Sequence, residues 1–160
     1  IRALADTNGV DLGGRRIIKK RSAGYLLACI CDEVIANPDA ITGSIGAVVA
    51  LTDVSKAMDN AGVKRVFITS GSSKVPFAED GSFKQEFLTK IQKDVDMLND
   101  KFAEHVSKYT GLAVEDIKAL NAETFNADEA LEIGLINSIM TNSEFAAYIS
   151  AKHKAKTKGA

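Results

Sequence analysis

Histidine is scarce in this chain of 160 residues, with only His105 and His153 present. His105 falls inside an amphipathic helical pattern and His153 in a basic tail, so no usable Ser-His-Asp triad can be assembled. Cysteine is equally rare. Cys29 and Cys31 stand two apart, too close for an ordinary disulfide, and lack the second Cys or His pair of a zinc site. They read as two buried thiols in a reducing compartment. Charge of one sign is missing too: 20 basic against 21 acidic residues leave a net charge of −1, no overall field to draw nucleic acid. No apolar run approaches the roughly 20 residues of a membrane span, and the first residues lack the basic-then-apolar order of a signal peptide. Gly43 to Gly46 reads GSIG, without the length or the lysine of a phosphate-binding loop.

What is present suits a globular protein. At 46% hydrophobic the chain is long enough to bury one core, and one domain is the working count. Ile1 is not a natural initiator, and Ile1 to Thr7 reads as the end of a helix whose beginning is missing, as in a fragment or processed form. Arg15 to Arg21 reads RRIIKKR, a poor strand. A buried helix is expected from Ala23 to Cys31, starting right after Ser22, then a strand at Val34 to Ala36 and a turn at Asn37 to Asp39. Ala40 to Leu51 reads as a glycine-permitted close approach followed by a buried strand. A short helix at Asp53 to Gly62 and a strand at Val63 to Thr69 complete a strand-helix-strand order.

Ser70 to Ser82 is a polar loop carrying Lys74. From Lys84 to Tyr109 the apolar residues Phe87, Ile91, Val95, Leu98, Phe102, Val106 and Tyr109 recur at steps of three and four, predicting one long helix that stops at Gly111. Val114 to Leu120 reads as a further helix. Asn126 with Glu129 predicts a capped helix over Ala127 to Ile133, stopped by Gly134, and Leu135 to Met140 returns as a strand. Lys152, Lys154, Lys156 and Lys158 form a tail without apolar periodicity, expected to be solvated and disordered.

Chemistry could reside in a serine and a lysine. Ser22 stands ahead of a helix start, where Ala23 and Gly24 would present free N–H groups to an oxyanion, although capping is the commoner task for a serine there. In the absence of a histidine base, a lysine can take the proton if burial or a cationic neighbour lowers its pKa from about 10.4. Lys74 is the best placed, with Ser70, Ser72 and Ser73 to orient it and Val75 and Phe77 to shield it; an ordinary surface lysine is the bland alternative.

The segment SAGYLLA, Ser22 to Ala28, resembles the nucleophile motif of the signal-peptide-peptidase A family of Ser-Lys peptidases. Three further segments follow in that family's order: DEVIANPDAITGSIGAV from Asp32 to Val48, ITSGSSKVPF from Ile68 to Phe77, and AETFNADEALEIGLIN from Ala122 to Asn137. The interval from Ser22 to Lys74 is similar to that between the family's dyad members. The long helix and YTGLAVEDI, Tyr109 to Ile117, are more similar to phage and prophage head-maturation peptidases than to membrane-bound members.

The resemblance implies an α/β, Clp-protease-like (crotonase-like) fold of repeated strand-helix units with a mostly parallel sheet, its N-terminal part missing. A partial peptidase domain at 1–140 is expected, followed by a helix end and basic tail at 141–160. The family pattern implies Ser22 as nucleophile, Lys74 as base, Ser44 orienting the lysine, Ala23 as an oxyanion N–H donor, and Gly24 and Gly43 as supporting residues. No cofactor is implied. The expected partners are a protein or peptide substrate, with small or medium apolar side chains near the scissile bond, and further copies of the chain; no nucleic acid partner is expected. The implied location is the bacterial cytoplasm or a phage prohead, with membrane association open for a full-length form. The family places a Gly-Gly oxyanion turn far upstream of its serine. Gly13 and Gly14, within the divergent segment Gly9 to Arg21, are too close to serve, so that half of the hole is expected outside this chain. Alternatives are an inactive assembly or scaffold module of the same fold, and a crotonase-type acyl-CoA enzyme.

Overall fold

The computed structural model describes residues 3–5, 21–71 and 74–158. The chain divides into two compact units, one formed by Ile1–Gly46 with Lys101–Ala160 and the other by Ala47–Asp100. The first unit is mixed α/β. Its strands β1 (Ala3–Ala5), β2 (Val34–Ala36) and β5 (Ser138–Ile139) form a parallel sheet in the order β1-β2-β5. Ala3 pairs with Val34, and Ile35 with Ser138. Strand β3 (Ile41–Gly43) pairs antiparallel with β4 (Thr124–Asn126). Helices α1 (Arg21–Ala28), α4 (Val114–Ala119), α5 (Ala127–Ile133) and α6 (Asn142–Lys158) belong to the same unit.

Helix α1 turns Tyr25, Ala28 and Cys29 inward, the i, i+3, i+4 spacing of one helical face, onto a core that includes Val106, Ile117 and Leu135. Tyr25 brings a hydroxyl into that core, and it donates to the carbonyl of Leu135 at 2.7 Å. Burial, then the neighbouring Cys29, pushes the phenol's pKa well above its usual value. Cys29 is buried and Cys31 only half-buried, so one of the two expected buried thiols is not. The sheet is stitched through Asn137, whose Oδ1 accepts the Val34 N–H at 2.7 Å and whose own N–H donates to the Val34 carbonyl at 2.8 Å.

The second unit holds α2 (Ser55–Asn60), the loop carrying Lys74, and the start of α3 (Gln85–Thr110), which ends in the first unit. The long helix matches its apolar period, but full burial is confined to Ala103 and Val106; Leu98 and Tyr109 are exposed.

Several sequence expectations need correction. Residues 47–51 and 63–69 carry no strand, and Val48 and Ile68 are 86% and 98% exposed. Apolar, β-branched stretches become strands only when a neighbouring strand pairs with their N–H and C=O groups, and among the described residues no strand pairs with these two. Ala3–Ala5 forms a strand where a helix end was expected. The tail is not disordered through its length, since α6 runs to Lys158. Its anchor is Glu33, which accepts hydrogen bonds from the Tyr148 hydroxyl and from Lys152 Nζ at 3.1 Å. Most of the Gly9 to Arg21 segment, with Gly13 and Gly14, lies outside the described residues.

Helix α5 begins as expected. The Asn126 side chain accepts the Glu129 N–H and Glu129 accepts the Asn126 N–H, both at 2.9 Å, and Gly134 closes the helix with φ of 88°. Asn126→Ala should lower unfolding stability by about 1 kcal/mol in urea titration, whereas Asn126→Ser should restore most of it. Tyr25→Phe leaves the buried Leu135 carbonyl without its donor and should cost about 1–2 kcal/mol at neutral pH. Because the folded-state pKa of Tyr25 is raised, its stabilisation is complete below about pH 10 and is lost as pH rises toward the folded value. The gap between wild type and Tyr25→Phe should therefore narrow in alkaline melts; a constant gap would contradict this account.

Candidate active site

Ser22 occupies the second position of α1, which begins at Arg21. It is thus within the first turn rather than at the cap ahead of it. Ala23 belongs to the same turn, whose N–H groups lack partners within the helix. Ala23, Gly24 and Leu27 are exposed, whereas Tyr25, Ala28 and Cys29 are buried. A Cβ placed on Gly24 would meet nothing within 4 Å. The two residues that follow Ser22 are therefore small and exposed, and α1 is held in place by its buried residues.

Helix α1 packs on β3, at whose end stand Gly43 and Ser44. Gly43 has φ of 103°, and a Cβ there would lie 2.6 Å from the Glu123 carbonyl oxygen. Only glycine allows this approach without moving the backbone. The same carbonyl accepts the Ser44 N–H at 2.7 Å. Ser44 itself is half-buried with φ of 54°, in the left-handed region that side chains other than glycine seldom occupy. Such a strained position, fixed from both sides, is the kind of place where a fold positions a side chain for a purpose beyond packing.

Lys74 lies in the second unit and is exposed. Its N–H donates to the Gly71 carbonyl at 3.1 Å, closing a tight turn. Ser72 and Ser73, two of the hydroxyls expected to orient the lysine, lie outside the described residues. Val75 and Phe77 are half-buried. Beyond them the backbone doubles back. The Pro76 carbonyl accepts the Lys84 N–H at 2.8 Å, Phe77 bridges Phe83 in antiparallel fashion, and the Ser82 carbonyl accepts the Ala78 N–H at 2.8 Å. Asp80 secures the bend by accepting from the Ser82 hydroxyl at 2.6 Å and the Ser82 N–H at 2.9 Å, and these bonds hold its carboxyl below the usual range.

The structure thus gathers Ser22, Ala23, Gly24, Gly43 and Ser44 in the first unit, with Lys74 on the second. His105 lies on α3, as its amphipathic pattern predicted. Its half-buried ring reaches α1, with Nε2 3.1 Å from the Leu26 carbonyl oxygen and the ring centroid 4.9 Å from that of Tyr109. A carbonyl only accepts, so Nε2 carries the proton. His105 buttresses α1. Nothing in its local sequence indicates that contact, because it depends on α1 and α3 meeting in space. Among the described residues no group of three or more His, Cys, Asp or Glu side chains is arranged to hold a metal ion. No helix among them is long and apolar enough to cross a membrane.

The chain is 31% identical over 123 residues to the capsid assembly protease C of Escherichia phage lambda, an overlap of 77% of this chain and 28% of that protein. It is 27% identical over 138 residues to the head-tail preconnector protein GP5 of Enterobacteria phage P21, covering 86% of this chain and 28% of the relative. Against the probable protease SohB of Buchnera aphidicola subsp. Schlechtendalia chinensis the identity is 30% over 125 residues, covering 78% of this chain and 40% of the relative. The chain accordingly spans less than half the length of each of these relatives. Its residues 19–157 match the model of peptidase family S49, a stretch that takes in α1, the β3 end and the Lys74 loop, and the chain belongs to that family.

Proposed function

We propose that this chain is the Ser-Lys core of a serine endopeptidase with a Clp-protease-like fold, in which Ser22 attacks and Lys74 is the base. The observation that carries the reading is the family match over residues 19–157, which contains both residues, with Ser22 in the first turn of a helix whose buried face is fixed by Tyr25, Ala28 and Cys29. Lys74 Nζ, unprotonated, takes the proton of the Ser22 hydroxyl as Oγ bonds to the scissile carbonyl carbon. The Ala23 N–H stabilises the resulting oxyanion, with Gly24 leaving room for substrate. Collapse of the tetrahedral intermediate breaks the C–N bond, and Lys74 returns the proton to the departing amine. A water molecule, giving its proton to Lys74, then attacks the acyl carbon; the bond from that carbon to Ser22 Oγ breaks, and Lys74 returns the proton to Oγ. The Ser44 hydroxyl orients the lysine amine, and Gly43 allows the backbone approach that sets Ser44. No cofactor enters these steps.

On this reading the peptidase domain comprises 1–140, with 141–160 an appended segment. The names of the two phage relatives favour substrates among phage head or scaffold proteins, processed in the prohead or host cytoplasm. The exposed apolar residues Val48, Val49, Val66 and Ile68 support self-association, since a second copy could cover them.

The test uses the full-length protein and a fluorophosphonate probe, which phosphonylates activated serines with loss of fluoride. Wild type should be labelled, and Ser22→Ala should not. Lys74→Arg keeps the charge but cannot accept a proton, because a guanidinium stays protonated below about pH 12. It should lose about 10²–10⁴-fold in labelling rate, with stability changed by no more than about 0.5 kcal/mol. Labelling of Lys74→Arg at the wild-type rate would overturn the dyad.

A further inference from the structure

The stretch that follows Lys74 is held by something its peptide hydrogen bonds alone do not explain. Four phenylalanines form a ladder through the second unit. Phe67 and Phe77 have centroids 5.9 Å apart and planes 8° from parallel, Phe77 and Phe83 are 5.0 Å apart at 28°, and Phe83 and Phe87 are 5.8 Å apart at 18°. The Arg65 guanidinium carbon lies 5.9 Å from the Phe67 ring centre and 5.6 Å from that of Phe77, capping the outer end. The inner end is Phe87, in the first turn of α3. Stacked rings at these separations add attraction beyond the area they bury. The ladder therefore joins three pieces of chain: the segment before the lysine loop, the doubled-back backbone after it, and a long helix.

From this ladder we infer that Phe77, Phe83 and Phe87, with Arg65, are positioning residues for the lysine base. The inference rests on the assignment of Lys74 above. Pro76 is clamped through its carbonyl to Lys84, so between Lys74 and the clamp stands only Val75. The following proline restricts Val75 to extended conformations. On its other side Lys74 is closed into the turn from Gly71, whose carbonyl also accepts the Thr69 hydroxyl at 3.1 Å. A lysine side chain has four rotatable bonds and a large entropy to lose, so a base built on one gains most from a backbone that does not move. The ladder supplies that rigidity by tying the loop to α3 instead of leaving it a free polar excursion. Its rings touch neither serine nor substrate in the proposed mechanism; they act through the placement of Lys74.

The experiment measures the concentration dependence of fluorophosphonate labelling of Ser22 in the full-length protein, separating the maximal phosphonylation rate from the half-saturating probe concentration. Phe83→Ala should lower the maximal rate roughly 10- to 100-fold while the half-saturating concentration stays within about twofold. Phe83→Tyr, which keeps the stacked ring, should restore the rate, and Phe83→Leu, which keeps apolar bulk without a ring face, should not. Arg65→Gln changes an exposed residue and leaves folding intact; it should give a smaller loss in the same parameter. Lys74→Arg is run beside them. If it labels like wild type, the dyad assignment fails. If it is inactive while folded Phe83→Ala and Arg65→Gln label at the wild-type maximal rate, or if Phe83→Leu rescues as well as Phe83→Tyr, the positioning role is refuted.

Discussion

The first unit depends on how closely two backbones approach at Gly43. The Glu123 carbonyl stands where a side chain at 43 would be, and it accepts the N–H of Ser44. That contact joins segments about eighty residues apart and sets the pairing of β3 with β4. Strand β4 ends on Asn126, the residue that caps α5. Helix α5 in turn buries Ala127 and Ala130 and stops at Gly134, after which Leu135 receives the Tyr25 hydroxyl. One tight approach is thereby connected, through a strand, a cap and a helix, to the buried face of α1, the helix that carries Ser22.

Local features were legible in the sequence, and those that require a distant partner were not. The α3 stripe and the Asn126 to Glu129 capping pair depend on neighbours three or four residues away, so both could be read directly, and both are present. Strands β2 and β5 were also found, because each is a short apolar run between turn residues. Strands β1 and β4 went unseen, since two or three residues have no readable period until a second backbone pairs with them. The opposite error arose at residues 47–51 and 63–69, where strand-like composition has no strand partner among the described residues. For α6, alternating lysines suggested solvated coil, but Ala and Lys favour helix and Glu33 supplies a distant anchor.

The candidate site was readable to the level of residue types and family order. Ser22, Gly43, Ser44 and Lys74 all stand on features that a functional residue could use: a first helical turn, a forced glycine, a strained serine and a closed loop. The support around them was hidden. His105 against the Leu26 carbonyl and Phe83 between Phe77 and Phe87 have no local signature, because histidines and phenylalanines on amphipathic patterns ordinarily mean solvent or core.

Ser44 also bears on how this fold can change over evolutionary time. A side chain other than glycine held at φ of 54° costs about 1–2 kcal/mol. Drift toward a more stable protein would therefore favour glycine at this position, and a lineage that no longer needed the hydroxyl would gain stability by discarding it. The serine marks a point where thermal robustness and the task proposed for that hydroxyl pull the chain in opposite directions.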